Sequence, residues 1–271
     1  MTAVDTPPPA PTTPDPDQAR REMPTWLPGL IGTLAILIAW QVIAVTWAGK
    51  NHVVPAPTEI LRQFGQDGWK FYWPNVTTTL REAAQGYFWG NLFAIVVAIV
   101  FVQVPFIERG LLRLAVASYC LPIIAIGPVL SVLYRGDTPK IILAALSVFF
   151  TTLISMLVGL RAADKASLDL VHAYGGGSWT QLRKVRLQAS LPSLFTGLRI
   201  AAPAAILGAI IGEYLGGDRG LGVAMIASQS GLYVERTWGI AIAASAVAGA
   251  AYALTALVEH LVAPWARRTK S

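Results

Sequence analysis

The chain has 271 residues, 54% of them apolar and only 13% charged, with 24 glycines, nine tryptophans and a formal net charge of +6; its mean hydropathy is +0.54. Soluble domains carry nearer a quarter charged residues, and a soluble reading would have to hide several uncharged runs as long as a bilayer is thick. The composition therefore excludes an ordinary soluble domain and defines an all-α integral membrane protein, with the lipid membrane as a partner and no nucleic acid expected.

Residues 1–25 open with MTAVDTPPPAPTTPDPDQAR, rich in Pro and Thr and almost free of large apolar side chains. Such a segment cannot offset the entropy of ordering, so a disordered tail is expected. Arg20 and Arg21 precede an apolar run from Trp26 to Ala48. That run is bilayer-length and no small-x-small cleavage site follows it, which predicts a retained first span rather than a cleaved signal. Between Lys50 and Gly86, Pro55 and Pro57 are expected to stop any helix. The cluster of Trp69, Phe71, Tyr72 and Trp73 beside charges fits two readings, a segment lying on the outer membrane surface or a solvated connector. The first span and this segment make up residues 26–86.

A helix needs roughly 20 apolar residues to cross the hydrocarbon core while satisfying its own backbone. Further spans are predicted over Tyr87–Ile107, Leu114–Tyr134, Ile141–Leu160, Ile200–Leu215 and Trp238–Val258, six in all, within a core of residues 87–262. The fifth is short and holds Glu213. With six spans both termini share a side, and 13 of the 21 Lys and Arg residues fall there: Arg20, Arg21, Arg109, Arg113, the six from Arg161 to Arg199, Arg267, Arg268 and Lys270. That side is the cytoplasmic one, and residues 263–271 form a basic cytoplasmic tail. The chain is expected to pass through its membrane several times.

No catalytic constellation is present. Cys120 sits in an apolar span as a small core residue, and His52, His172 and His260 are too scattered for a metal motif. Gly49-Lys50 is followed by Asn51 and lacks the upstream glycine of a phosphate-binding loop, so ATP, if it drives this protein, binds elsewhere. No cofactor is expected in the chain itself.

The cytoplasmic region 161–199 is the most informative. Leu168, Leu170 and Val171 recur at helical spacing, and the run ends at Gly175-Gly176-Gly177, where glycine accepts a left-handed helix stop. Ser178 is expected to cap a second helix from Trp179. On it Leu182, Val185 and Leu187 are apolar and Arg183, Lys184 and Arg186 are not, an amphipathic pattern suited to a membrane surface or a partner. Pro192 is expected to end or kink that helix.

These residues carry a resemblance. The signature of ABC importer permeases runs EAA, three residues, Gly, nine residues, Ile, one residue, Leu-Pro; here Gly175, Val185 and Leu187 fall on the Gly, Ile and Leu. Asp169-Leu170-Val171 stands in place of EAA, and Gln188 in place of the Pro. Pro192, Gly197, Leu198 and Arg199 meet the extended form, LPxxxPxxxxGLR. VPAPTEI, TTTLREAAQGYFWGN, GLRAAD and GEYLGGDRGLG are similar to segments of the nitrate, sulfonate and taurine branch.

The resemblance implies a type I ABC importer permease fold with a cytoplasmic coupling helix between the fourth and fifth spans, set in a bacterial cytoplasmic (inner) membrane. It implies partners: ABC ATPase subunits holding ATP and Mg, a second permease copy or paralogue, and an external substrate-binding protein. On it, Leu168, Asp169, Leu170, His172, Ala173, Tyr174, Gly175, Gly176, Gly177 and Ser178 form the ATPase-coupling region.

For the solute path, Glu213 is a charged group at the end of a span, where it faces a pathway or gate, or else pairs with Arg219 or Arg236 to fix the GEYLGGDRGLG turn. Pro122, Gly127 and Pro128 interrupt the third span and expose backbone groups, and Tyr119 and Tyr134 are candidates to line the cavity. A secondary transporter or channel is the competing class; such proteins commonly bury ionisable groups at mid-membrane. The substrate itself is not readable. The predicted topology is testable: in a Cys120→Ala background, a cysteine at position 178 should stay unlabelled by an impermeant thiol reagent in intact cells and react once the membrane is opened. Labelling from outside would reverse the orientation.

Overall fold

A computed structural model describes residues 27–48, 54–108, 110 and 122–262. The tails expected over 1–25 and 263–271, together with Tyr119 and Cys120, lie outside the described residues. The chain forms two compact units, residues 1–57 and 58–271.

In the first unit, α1 (Leu27–Ile43) passes into a π turn over Ala44–Ala48. Thr33 and Thr46 turn their hydroxyls onto the carbonyls of Gly29 and Val42, so both hydroxyls are satisfied within the helix. Ile36 and Ile38 are exposed, as a lipid-facing helix requires.

The second unit comprises α2 (Pro57–Gln103), α3 (Ile123–Leu133), α4 (Thr138–Arg161), α5 (Lys165–Ala173), α6 (Ser178–Gln181) with a π turn over Leu182–Arg186, α7 (Leu187–Leu215), α8 (Leu221–Ser230) and α9 (Val234–Val262). Among the described residues, five helical stretches are long and apolar enough to cross a membrane: Leu27–Thr46, Pro57–Gln103, Thr138–Arg161, Ser178–Leu215 and Val234–Val262. The span expected over Leu114–Tyr134 reaches the described residues only from Pro122, and its helix Ile123–Leu133 has 11 residues.

Three sequence expectations are corrected here. Pro57 does not stop a helix but begins α2, in the first-turn position where its missing N–H costs nothing; the break comes instead at Gly68, at φ 66° and ψ −179°. The second span is therefore the far part of a helix that starts thirty residues earlier than expected. Pro192 and Pro203 lie inside α7 without ending it, because packed neighbours in a membrane helix compensate the lost bond. Ser178 is not the cap of α6, since Gly177 takes that position.

Lipid tails are as apolar as leucine, so helix association in a membrane rests on close packing and interhelical polar bridges. Here α4 is the central element. On one side Gly90 of α2 meets it so closely that an added Cβ would lie 2.5 Å from the Ala145 carbonyl oxygen; on the other, Gly208 of α7 would put a Cβ 2.8 Å from the Ala144 Cα. Three buried clusters follow one another along the unit. Tyr72, Leu221, Ala224, Ile240 and Ala244 join α2, α8 and α9. Ala83, Ala144, Val148, Ala201, Ala205, Ile206 and Ala209 join α2, α4 and α7, and Ala94, Ala98, Phe101, Leu153, Met156, Leu157, Leu160 and Leu182 close the end where α6 docks.

Polar bridges fasten the ends. Arg236, at the start of α9, forks onto Asp67 beside the Gly68 break, with Nε 3.0 Å from both carboxylate oxygens, and its guanidinium lies over the rings of Phe71 and Tyr233. Arg199 of α7 bonds Glu259 of α9 at 3.0 Å and the Tyr252 hydroxyl at 2.7 Å. Arg161 pairs with Glu108. Gly208→Leu should therefore force α4 and α7 apart at a cost of ~1–3 kcal/mol, lowering the melting temperature of the purified protein. Gly249→Ala, with nothing within 4 Å of the new methyl, should leave it unchanged; equal melting of the two variants would refute the tight helix contact.

Candidate functional site

The region expected to couple to an ATPase, residues 164–186, is a helix–turn–helix set on the end of the bundle. Asp164 caps α5, accepting from the Ser167 N–H at 3.0 Å and hydroxyl at 3.1 Å, bonds that hold its carboxyl below the ordinary aspartate range. The helix stops in a Schellman turn: the Gly176 N–H donates to Val171 O and the Gly175 N–H to His172 O, both at 2.9 Å, with Gly175 at φ 77°. A side chain at Gly176 would fall 2.8 Å from the Val171 carbonyl oxygen, so glycine is needed at 175 for φ and at 176 for closure.

The turn folds α6 back on α5, where Gln181 Nε2 donates to Leu168 O at 3.3 Å. Leu182, 1% exposed, plugs into the end cluster, and Arg186 reaches the Leu160 carbonyl at 3.2 Å. The far side of the unit is left open: Leu170 is 58% and Tyr174 85% exposed, and Asp169, His172, Ala173, Gly175, Gly177 and Ser178 are exposed as well, while Leu168 and Gly176 are half-buried. The structure thus brings the ten residues named from sequence into one continuous projection.

The other end of α4 is, at 1.5 Å per residue over a 24-residue helix, about 36 Å away. There Glu213, in the last turn of α7, is 2% exposed. Its Oε1 accepts from the Thr79 hydroxyl at 2.6 Å and its Oε2 from the Gly222 N–H at 2.6 Å. Thr79 in turn accepts from the Leu221 N–H at 2.9 Å, and Asn75 accepts from the Gly220 N–H at 3.2 Å. The orphan N–H groups at the start of α8 are therefore capped by side chains from α2 and α7, and the negative carboxylate sits against the positive end of the helix. Beside it Lys140 bridges Glu82 and Asp137, each at 2.9 Å, and the ammonium holds the Asp137 carboxyl below its usual value.

Of the two readings given for Glu213, the ion pair does not form: neither Arg219, which is exposed, nor Arg236, which is committed to Asp67, engages it. The carboxylate points inward between helices, where amide and hydroxyl donors reach it and a long cationic side chain from the surface does not. Of the other residues named for the solute path, Pro122 precedes α3, Pro128 lies within it, and Tyr134 ends it. Tyr134, Arg135, Lys140 and Asp218 are among the residues lining a cleft of about 260 Å³, and Glu213 does not border it. Thr79, Glu82, Asn75 and Lys140 were given no role in the reading of the sequence, although Thr79 and Glu82 lie in the TTTLREAAQGYFWGN motif. The signal available was two charges, Glu82 and Lys140, at the edges of apolar runs, one in TTTLREAA and one before IILAAL; charges there have partners or face water.

A multi-pass helical bundle with a projecting helix–turn–helix at one end and a polar lock at the other has the build of a membrane-embedded transport subunit. The chain belongs to the family described as binding-protein-dependent transport system inner membrane component, whose model matches residues 90–268. It is 31% identical over 207 residues to "Probable ABC transporter permease protein" of Haemophilus influenzae, covering 76% of this chain and 83% of that one. It is 29% identical over 241 residues to the riboflavin transport system permease protein RibX of Chloroflexus aurantiacus, covering 88% and 90%. To the taurine transport system permease protein TauC of Escherichia coli it is 27% identical over 201 residues, covering 71% and 73%. The family is one of membrane permease subunits of ABC transporters rather than enzymes.

Thr79→Val keeps the shape of the side chain but leaves the Leu221 N–H and one Glu213 oxygen without a partner. At ~1–3 kcal/mol for an orphaned buried group, the amides of residues 220–222 should exchange with deuterium roughly tenfold faster or more. Glu213→Leu, which removes the acceptor for Gly222, should do likewise, with exchange in α4 unaltered. Protection identical to wild type in both variants would show that the caps do not hold α8.

Proposed function

We propose that this chain is the permease subunit of an ATP-driven importer in the bacterial inner membrane, taking up a small solute delivered by an external binding protein, with α5, the glycine turn and α6 as the surface on which a separate ATPase acts. The observation that carries the reading is the projection itself. It offers Leu170, His172 and Tyr174 to a partner while Leu182 and Arg186 tie it to the packed end of α4, so a force applied to the turn reaches the bundle. ATP and Mg belong to the partner ATPase, and hydrolysis there can act on this chain only through contacts that differ between its states. A second permease, identical or paralogous, completes the pathway, and both termini face the cytoplasm.

The relatives' names speak of riboflavin in one case and taurine in another, so the solute is assigned no further than small and water-soluble. For the solute path we assign Pro122, Pro128 and Tyr134, with Tyr119, to its border. Glu213 is given the task of locking α8 at the outer gate.

The turn supplies the test. Gly175 at φ 77° tolerates a β-branched residue only at well over ~1 kcal/mol, and nothing packs against the position. Gly175→Val should therefore reach the membrane at normal yield while losing both ATPase co-purification and ATP-driven uptake, and Gly175→Ala should lose less. Uptake by Gly175→Val at the wild-type rate would overturn the role given to this unit.

A further inference from the structure

One face of α6 has no part in that reading. Trp179, Thr180, Arg183 and Lys184 line a cleft of about 360 Å³ with no acidic residue among them. Trp179 is 59% exposed and both cations are exposed. Among the described residues the side chains of Arg183 and Lys184 have neither an ion pair nor a hydrogen bond, whereas their neighbour Arg186 is bonded to the Leu160 carbonyl. The π turn over Leu182–Arg186 produces this division. Its widened ring, closed by the Leu187 N–H on Leu182 O, turns Leu182 and Arg186 toward the bundle and leaves Arg183 and Lys184 outside; such turns are frequent at functional sites.

The height of the cleft is set by its neighbours. Leu182 packs with Phe101, Leu157 and Leu160, the last turns of α2 and α4, so the cleft lies where two apolar spans end and water begins. At that level an indole settles among headgroups, and a guanidinium, an ammonium and a hydroxyl supply the donors that a phosphate diester accepts. An anionic leaflet attracts such a pair of charges strongly. We propose that this cleft is a binding site for the headgroup of an anionic phospholipid, which anchors α6 at the membrane surface while the Gly175 turn stays free. The proposal rests on the chain being membrane-embedded and is independent of which subunit meets the turn.

The test uses the purified full-length chain in detergent, titrated with phosphatidylglycerol or phosphatidylcholine of the same acyl composition and read by native mass spectrometry. Wild type should take up one phosphatidylglycerol in preference to phosphatidylcholine. Arg183→Gln/Lys184→Gln should weaken that binding roughly 30-fold and each single variant roughly fivefold. Arg183→Lys should retain most of it, and Arg135→Gln, at the other end of the bundle, all of it. Equal binding of the two lipids by wild type, or unchanged phosphatidylglycerol binding in the double and single variants, would overturn the site. Displacement of the lipid by an equal concentration of inorganic phosphate would also overturn it, as a site for the free anion. No ATPase enters this measurement, so its outcome stands apart from that of the Gly175→Val uptake experiment.

Discussion

The buried carboxylate of Glu213 governs the end of the bundle opposite the projecting helix–turn–helix. A charge among membrane-spanning helices is costly unless its oxygens are filled, and the donors that fill them come from elsewhere in the chain: Thr79 from α2 and the Gly222 amide from α8. The same bonds supply what α8 lacks, acceptors for its first N–H groups, so two liabilities cancel. Once Glu213 is placed, α8 is drawn against α2 and α7, Leu221 and Ala224 enter the cluster with Tyr72 and Ile240, and the start of α9 comes to lie where Arg236 meets Asp67. The neighbouring Lys140 bridge extends the lock to α4.

From that end α4 runs as a spine. Its partners approach through glycine and alanine, which lets backbones come close enough for dispersion and short-range contact to replace the hydrophobic driving force that lipid does not provide. A spine packed this tightly is not continuously deformable. At its far end the Leu160 carbonyl accepts from Arg186, and the Leu160 side chain meets Leu182. The projection is thereby mounted on the most closely packed element rather than hung from a loose loop. The importer reading depends on this mounting, since a lever needs a rigid seat.

Much of the fold was legible because its rules are local or compositional. Long uncharged runs report spans whatever their neighbours do, and α1, α4 and α9 lie where hydropathy put them. The α5 helix and its stop follow from the leucine spacing and Gly175 to Gly177, all within one short segment. The illegible parts involve neighbours distant in sequence. Pro57 and Pro192 read as breakers on local grounds, yet one begins a helix and the other rides inside one because adjacent helices and first-turn geometry absorb the missing N–H. The break in α2 falls at Gly68, between two stretches whose composition reads as continuous polar and aromatic surface.

By itself the sequence determined that this is a multi-pass helical membrane protein, that a glycine-closed helix pair projects between two spans, and, through its motifs, which family it resembles. These follow from backbone satisfaction in lipid and from the φ that only glycine accepts without cost. Tertiary structure alone decided the partner of Glu213. Arg219 and Arg236 are nearer in sequence, but the carboxylate is held by Thr79, 134 residues away, because the register in which α2 packs on α4 and α7 sets which side chains share a buried volume. Such a register depends on the fit of small residues along three helices at once, which no local pattern in the chain records.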